Sequence, residues 1–318
     1  MAHRSLGPGF DGILVVDKPM GITSHDVVAL VRRLAATKRV GHGGTLDPFA
    51  TGVLPVFLGR GTRVVEFHLA DRKAYRATVC FGASSTTDDL EGELTPATAP
   101  APTREAVETA LPAFTGAIEQ RPPAFSAIKV AGRRAYAMAR AGEAVELATR
   151  TVTIERIDLV EWDDRDPDRP LAVIDVACTA GTYIRALARD LGAHLGGGAY
   201  LGALRRTAAG PFTADATIPL DDIRTAAADG PGALTALLLP IERGLERFPA
   251  VALTADEVAA VSRGQYVRPG EGFPPGAERY RLHGPGGELV AIAQAAGPAR
   301  LAPDKVLVSA PATAAATA

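Results

Sequence analysis

Cysteine and metal-ligand patterns are the first things that this sequence lacks. Its 318 residues include only two cysteines, Cys80 and Cys178, and neither belongs to a Cys-x-x-Cys pair. Two distant cysteines cannot build the disulfide framework of a small secreted domain, so a reducing cytosol is the simplest environment for the chain. The six histidines show no metal-ligand spacing, and a metal site is therefore not expected.

Long apolar runs and a strong excess of one charge are also absent. No segment approaches the roughly 18 consecutive apolar residues of a membrane span. The first twelve residues, MAHRSLGPGFDG, lack the apolar stretch of a signal peptide. We therefore expect a soluble, cytoplasmic protein without membrane contact. The net charge of -2 excludes a globally basic nucleic-acid coat protein but is compatible with a local basic face.

The residues that are present predict a globular α+β fold. Hydrophobic residues make up 47 % of the chain, and because aromatic residues are only 5 %, the core must rest on Val, Leu and Ile. The patterns predict strands at 12–17 and 73–81, a hairpin of 151–161 with 171–179, and a helix capped by Ser24. Strands and helices follow no strict βαβ rhythm. This favours a central mixed, mainly antiparallel sheet flanked by helices and loops.

Composition divides the chain into four segments. We expect residues 1–10 to be a flexible leader and residues 11–248 to form the main domain. The pattern changes near Phe248-Pro249, so residues 249–308 are interpreted as a small β-rich C-terminal domain. The low-complexity end, 309–318, predicts a disordered tail.

The glycine-rich loop Gly41–Pro48 carries the densest chemical signal. Its glycines permit a close approach of the backbone to a ligand, although the loop is neither a P-loop nor a GxGxxG turn. A plain surface turn is the simpler interpretation from composition alone. Asp47, however, lies between Leu46 and Pro48, which suggests a partly buried carboxylate that could act as a nucleophile or base.

A second signal lies at Thr179–Arg185, where a strand ends and a helix begins. An arginine near a helix start is disfavoured by the helix dipole, so Arg185 needs a partner such as a buried carboxylate. The alternative is a surface arginine with Tyr183 packed in the core.

A third signal is the segment Arg121–Arg140, which is basic, contains no acidic residue and includes Phe125 and Tyr136. Basic residues interleaved with aromatic ones favour phosphate contact with base stacking. Similar clusters stand at 32–39 and at Arg205-Arg206. A solvated face remains the alternative for any single charge, but the segregation of the clusters favours a nucleic-acid partner.

Six motifs in order resemble the TruB family of bacterial tRNA pseudouridine(55) synthases over about residues 12–247. They are Asp17-Lys18-Pro19-Met20-Gly21, Gly41–Leu54, Lys73-Ala74-Tyr75, Gln120–Tyr136, Gly181–Arg185 and Leu201–Arg206. The resemblance implies the pseudouridine synthase fold and a short PUA-like RNA-binding domain at about 249–308. It also implies isomerisation of uridine 55 in the TΨC loop of tRNA, with base flipping and without cofactor or metal.

The resemblance also implies roles for individual residues. Asp47 matches the catalytic aspartate, Tyr75 the base-stacking and proton-abstracting tyrosine, and Arg185 the partner of the aspartate. The residues expected to bind substrate are His42, Tyr75, Tyr183, Leu204 and Lys18. From the basic clusters, the residues expected to contact RNA are Lys129, Arg133, Arg134, Arg205 and Arg206.

The sequence leaves several alternatives open. The aspartate could attack C1′ of the sugar, attack C6 of uracil or assist elimination across the sugar. A non-catalytic protein of the same fold that binds and folds tRNA is the second interpretation, although the presence of Asp47 argues against it. A guide-RNA-dependent relative, like dyskerin, is disfavoured because no long basic extension is evident. We expect a monomer that acts on the T arm of tRNA without an obligate protein partner.

Overall fold

The computed structural model describes residues 10–126, 129–130, 133–140, 143 and 147–308. The leader, apart from residue 10, and the tail lie outside these residues. The helices are α1 Ser24–Leu34, α2 Val65–Leu69, α3 Arg104–Ala110, α4 Ala135–Arg140, α5 Ile184–His194, α6 Leu220–Asp229, α7 Pro231–Ala236 and α8 Ala255–Ser262. Short 3-10 helices span Gly59–Val64, Leu111–Phe114 and Ala214–Ala216.

The strands fall into a large main sheet and smaller sheets. In the first half of the chain they are β1 Gly12–Lys18, β2 Val40–His42, β3 Thr51–Leu58, β4 Lys73–Phe81, β5 Ala83–Ser85, β6 Leu94–Pro96, β7 Gly116–Gln120, β8 Lys129–Val130 and β9 Arg133–Arg134. In the second half they are β10 Arg150–Asp163, β11 Leu171–Cys178, β12 Ala199–Ala209, β13 Phe212–Thr213, β14 Ile218–Pro219, β15 Ala250–Ala252, β16 Tyr280–His283, β17 Leu289–Ala295 and β18 Leu301–Val306.

The main sheet has the order β14-β1-β3-β12-β4-β11-β10-β7, with β2 on β3 and β13 on β12. The β14–β1 and β3–β12 pairs are parallel and the other pairs are antiparallel. This confirms the predicted α+β fold with a mixed, mainly antiparallel sheet. It also places β12 between β3 and β4, so three segments that are distant in sequence meet at the centre of the sheet.

The helix start at residue 24 differs from the sequence-based expectation. Thr23, not Ser24, is the N-cap of α1, because its hydroxyl accepts a hydrogen bond from the Asp26 amide at 3.0 Å. The Asp26 carboxylate in turn accepts a hydrogen bond from the Thr23 amide, which completes a capping box. Ser24 is therefore free to bind the Gly41–Pro48 loop.

A four-stranded sheet, β15-β16-β17-β18, follows near the end of the chain. It packs against the main sheet through a shared hydrophobic cluster in which Ile292 and Leu307 join Ile13 and Val15. The Arg60 guanidinium also donates to the Leu307 carbonyl at 2.7 Å. Because both sheets bury apolar surface in this cluster, the second sheet contributes to the stability of the folded chain.

Candidate active site

The Gly41–Pro48 loop is held in place by side chains from α1 and β1. The buried Ser24 hydroxyl donates to the Leu46 carbonyl at 3.1 Å and accepts from the Leu46 amide at 2.8 Å. On the other side of Asp47, the Lys18 ammonium donates to the carbonyls of Ala50 at 2.6 Å and Pro48 at 3.2 Å. The backbone around Asp47 is therefore fixed on both sides.

Asp47 faces Arg185, the first-turn arginine of α5. The guanidinium Nε lies 3.1 Å from the Asp47 Oδ2, and the arginine side chain is 5 % exposed whereas the aspartate is 35 % exposed. The cation thus lies in the interior while the carboxylate opens towards solvent. This explains why an arginine tolerates the positive end of a helix dipole: two carboxylates compensate it there.

The second carboxylate partner of Arg185 is Asp89. One terminal nitrogen of the guanidinium donates to the Asp89 Oδ2 at 3.1 Å and to the Thr87 carbonyl at 3.2 Å. The other donates to the Phe125 carbonyl at 2.8 Å. The Asp89 side chain is 3 % exposed, so this is a buried ion pair in which the guanidinium also joins two loops to α5.

The electrostatics of Asp47 are a balance of opposed effects. Burial raises the pKa of the Asp47 carboxyl, and the like charge of Asp89 raises it further. The positive charges of Arg185 and Lys18 act in the opposite direction and favour the ionised form. Burial in turn lowers the pKa of the Lys18 ammonium to about 8. A partly desolvated carboxylate under such opposed influences is typical of functional sites.

Tyr75 lies on β4. The strand β12 separates β4 from β3, the strand that follows the loop. Tyr75 packs against the buried hydrophobic core, and burial raises the pKa of its phenol. Its partner in the register of β4 and β12 is Arg206, whose positive charge acts against burial and lowers the pKa of this phenol. The negative charge of Asp47 is also close enough to raise this pKa.

His42 lies at the end of β2, where the loop begins. Its Nδ1 accepts a hydrogen bond from the Gly44 amide at 3.3 Å, which places the ring proton of the neutral form on Nε2. Burial, followed by the positive charge of Arg206, lowers the pKa of this imidazole. The structure therefore favours a neutral His42.

Tyr183 is fixed by the buried Gln120, at the start of the fourth motif. The Gln120 amide nitrogen donates to the Tyr183 carbonyl at 3.0 Å, and its oxygen accepts from the Tyr183 amide at 2.8 Å. The Arg150 guanidinium lies 4.9 Å from the centre of the Tyr183 ring. The backbone before Arg185 is thus positioned by a single side chain.

The structure corrects two expected contacts with substrate or RNA. Lys18 was expected to bind substrate, but its side chain is fully buried and its ammonium donates to the backbone carbonyls of Pro19, Pro48 and Ala50. Arg206 was expected to contact RNA, but it is 1 % exposed and bonds to backbone carbonyls in the interior. A buried guanidinium cannot reach a phosphate outside the protein.

The remaining expected residues lie in different places. Leu204 is 8 % exposed and belongs to the main hydrophobic core. Arg205 is partly exposed and forms a two-pronged pair with Asp17 at 2.9 and 3.0 Å. Arg133 is exposed and pairs with Glu143 at 2.7 and 2.9 Å. Lys129 and Arg134 lie opposite each other on β8 and β9, with side chains outside the described part.

Sequence reasoning missed Asp89 and Gln120 as parts of this site. No role was expected of Asp89, although it follows five consecutive polar residues, Thr86, Thr87 and Asp88 among them. Such a run before a glycine was the available signal for a structured polar turn. Gln120 stood at the edge of the basic segment and gave no signal of its own.

Comparison with known proteins agrees with this geometry. Residues 32–184 match the N-terminal domain of the TruB family of pseudouridylate synthases, and residues 185–246 match the C-terminal domain of tRNA pseudouridylate synthase B. A tRNA pseudouridine synthase B of Bradyrhizobium diazoefficiens is 49 % identical over 259 residues, covering 80 % of this chain and 74 % of that protein. The chain belongs to the TruB family.

A second relative matches a larger part of the chain. The tRNA pseudouridine synthase B of Thermobifida fusca is 45 % identical over 290 residues, which cover 89 % of this chain and 94 % of that protein. Family membership makes the chain a pseudouridine synthase, an isomerase of RNA nucleosides.

Solved structures support the fold. A chain in the crystal structure of a Cbf5–Nop10–Gar1 complex superposes with a TM-score of 0.71 at 28 % identity, covering 95 % of this chain and 86 % of that one. A chain of an H/ACA ribonucleoprotein bound to a substrate RNA gives the same TM-score of 0.71 at 27 % identity, covering 94 % and 86 %. Within the described residues, no helix has the length and apolarity of a membrane span.

Proposed function

We propose that this TruB family chain converts uridine 55 in the T arm of tRNA to pseudouridine, with Asp47 as the nucleophile. The observation that carries the proposal is the Asp47 carboxylate, which opens to solvent while the buried Arg185 lies 3.1 Å behind it. The relatives that share 42–49 % of their residues with the chain are named tRNA pseudouridine synthase B, which supports tRNA as the substrate.

The reaction requires one bond to be exchanged for another. The N1–C1′ bond of uridine breaks, a C5–C1′ bond forms, and one proton passes from C5 to N1, so no oxidant or cofactor is consumed. An ionised Asp47 supplies the electron pair that assists cleavage, by attack on C1′, by attack on C6 or by elimination across the sugar. Arg185 keeps the carboxylate ionised and oriented because a planar guanidinium binds at a fixed angle.

The base must leave the stacked loop before it can react. Extrusion of a nucleotide costs a few kcal/mol, which contacts with the protein must offset. We assign this role to the ring of Tyr75, with His42 and Tyr183 at the border of the same site. A neutral His42 suits an insertion among bases better than a charged one, because a buried cation would need a partner.

RNA binding is assigned to one face of a chain whose net charge is only -2. The exposed Arg133, together with Lys129 and Arg134 on the same β-hairpin, supplies phosphate contacts. We assign the PUA-like role expected from the family to the sheet β15–β18, which adds a smaller share of the binding. We propose that the protein acts in the cytoplasm as a monomer and without an obligate protein partner.

The test uses purified protein and an unmodified T-arm stem-loop, with pseudouridine located by position after the reaction. We expect product at the uridine that corresponds to position 55 and at no other uridine of the stem-loop. Binding without product by a folded preparation would favour the non-catalytic alternative. Product only after addition of a guide RNA or a second protein would favour a guide-dependent mechanism.

A further inference from the structure

Arg206 is a buried cation without a carboxylate partner among the residues that the structure describes. Its side chain is 1 % exposed, and it forms no ion pair with these residues, whereas Arg185 and Arg205 both pair with aspartates. Burial lowers the pKa of its guanidinium, whereas the phenol of Tyr75 acts in the opposite direction. A buried charge is normally paired, so an unpaired one requires an explanation.

The side chain of Arg206 contacts the backbone of the Asp47 loop and of β3 on one side, and lies beside Tyr75 on the other. Its Nε donates to the Val53 carbonyl at 2.6 Å, and a terminal nitrogen donates to the Gly44 carbonyl at 3.1 Å. The other terminal nitrogen lies 3.5 Å from the Thr45 carbonyl. Tyr75 lies opposite Arg206 in the β4–β12 register, and because a guanidinium can only donate, the phenol oxygen is the acceptor for it there.

The strand order places Arg206 between the strand that follows the Asp47 loop and the strand that carries Tyr75. Arg206 on β12 lies opposite Gly52 of β3 on one side and opposite Tyr75 of β4 on the other. Gly52 has a φ of +98°, and a Cβ there would clash with the Arg206 carbonyl oxygen. The strand that follows the Asp47 loop therefore approaches Arg206 more closely than a side chain would permit.

We propose that Arg206 is a positioning residue that couples the Asp47 loop to the phenol of Tyr75 and stabilises the anionic form of that phenol during isomerisation. The proposal rests on the proposed function. When the phenol gives its proton to N1 of the detached base, a phenolate remains. It then accepts the proton released from C5, and the electron pair of the C5–H bond stays in the uracil ring. Between these two proton transfers, the unpaired guanidinium of Arg206 compensates the negative charge of the phenolate.

The experiment compares Arg206→Lys and Arg206→Gln with the unaltered protein. Single-turnover rates are measured at saturating T-arm RNA, and RNA affinity is measured separately. Incorporation of 3-fluorotyrosine gives a fluorine NMR signal for each tyrosine, and loss of one signal in Tyr75→Phe assigns Tyr75. Arg76→Lys is the matched control, because Arg76 is the next residue on β4 but pairs with Asp175 on the exposed face.

We expect Arg206→Gln to reduce the rate by roughly 10- to 100-fold, the effect of losing a hydrogen bond to a charged group. RNA affinity should stay within about threefold, since the side chain does not reach the surface. The Tyr75 fluorine signal should move and titrate at higher pH. Arg206→Lys should restore part of both effects, and Arg76→Lys should change neither.

Four outcomes would overturn the proposal. An unchanged rate would exclude any role, and a loss of affinity alone would return Arg206 to RNA binding. A lower rate with an unmoved Tyr75 titration would mean that the residue supports the loop only. An unaltered protein without activity would refute the proposed function, whereas the fluorine titration would still test the link to Tyr75. If neither variant folds, an experimental structure of the unaltered chain decides: a phenol oxygen more than about 4 Å from the guanidinium contradicts the proposal.

Discussion

Replacement of Asp89 by asparagine tests the shared arginine of the site. Asp89 Oδ1 accepts bonds from the Thr87 hydroxyl at 2.5 Å and from the Glu91 amide at 3.0 Å, and asparagine can keep both with its carbonyl oxygen. Its amide nitrogen then faces the Arg185 nitrogen that Asp89 Oδ2 binds at 3.1 Å. Two donors would face each other, so one end of the guanidinium loses its partner.

The size of the effect follows from that lost bond. A hydrogen bond between charged groups contributes about 1.5–3 kcal/mol, which corresponds to a rate reduced by roughly 10- to 100-fold. The direction of a second effect follows from charge. Asp89 raises the pKa of Asp47, so its neutralisation lowers that pKa. The acid limb of the pH–rate profile, where Asp47 becomes ionised, should therefore move to lower pH.

The assay is release of tritium from C5-labelled uridine in a T-arm stem-loop under single-turnover conditions, between acidic and neutral pH. Asp175→Asn is the control, since it removes an aspartate from a comparable but exposed arginine pair. Its rate should stay within about twofold of the unaltered protein. An Asp89→Asn rate that is equally unchanged, or an acid limb that moves to higher pH, would refute the reasoning.

Three further predictions concern Arg185, the paired strands β8 and β9, and the sheet β15–β18. Arg185→Lys keeps the charge but not the planar fork, so the single-turnover rate should fall by roughly 10-fold or more; an unchanged rate would contradict this. Alanine at both Arg133 and Arg134 should weaken binding and reduce the slope of log K against log salt by about 0.7–0.9 per lost phosphate contact, with an unchanged rate at saturating RNA. Deletion of 249–318 should weaken RNA binding and also lower the melting temperature, because Ile292 and Leu307 belong to a core shared with β1; unchanged affinity with lower stability would assign the second sheet to stability alone.

Much of the fold was predictable because local patterns determine it. The alternation of Tyr75, Ala77 and Val79 matches β4, and the acidic turn at 163–168 connects the predicted hairpin partners, which pair as β10 and β11. Thr103 caps α3, and its hydroxyl accepts from the Ala106 amide. Ser24 was assigned to a cap because it precedes an apolar helical pattern. Its neighbour Thr23 fits that position equally well, and a contact 22 residues away decides between them.

The candidate site was predictable in its main carboxylate and arginine but not in its supporting residues. Arg185 lacked a favourable local environment, and this conflict with the helix dipole indicated a buried acid. Asp89 and Arg206 carried no such conflict, because an acidic turn and a pair of arginines are both common on surfaces. Their burial results from strand order and loop packing, which bring residues 52, 75 and 206 side by side. Local sequence does not encode those distances.

The assignment of Asp47 is tested most directly by the rate of Asp47→Asn on a T-arm stem-loop, measured in one turnover with RNA affinity determined on the same preparation. Asparagine keeps the shape of the side chain but removes the charge that Arg185 stabilises. We predict a loss of nearly all pseudouridine formation, with affinity within about threefold because phosphate contacts come from other residues. A rate within about tenfold of the unaltered protein would contradict Asp47 as the nucleophile.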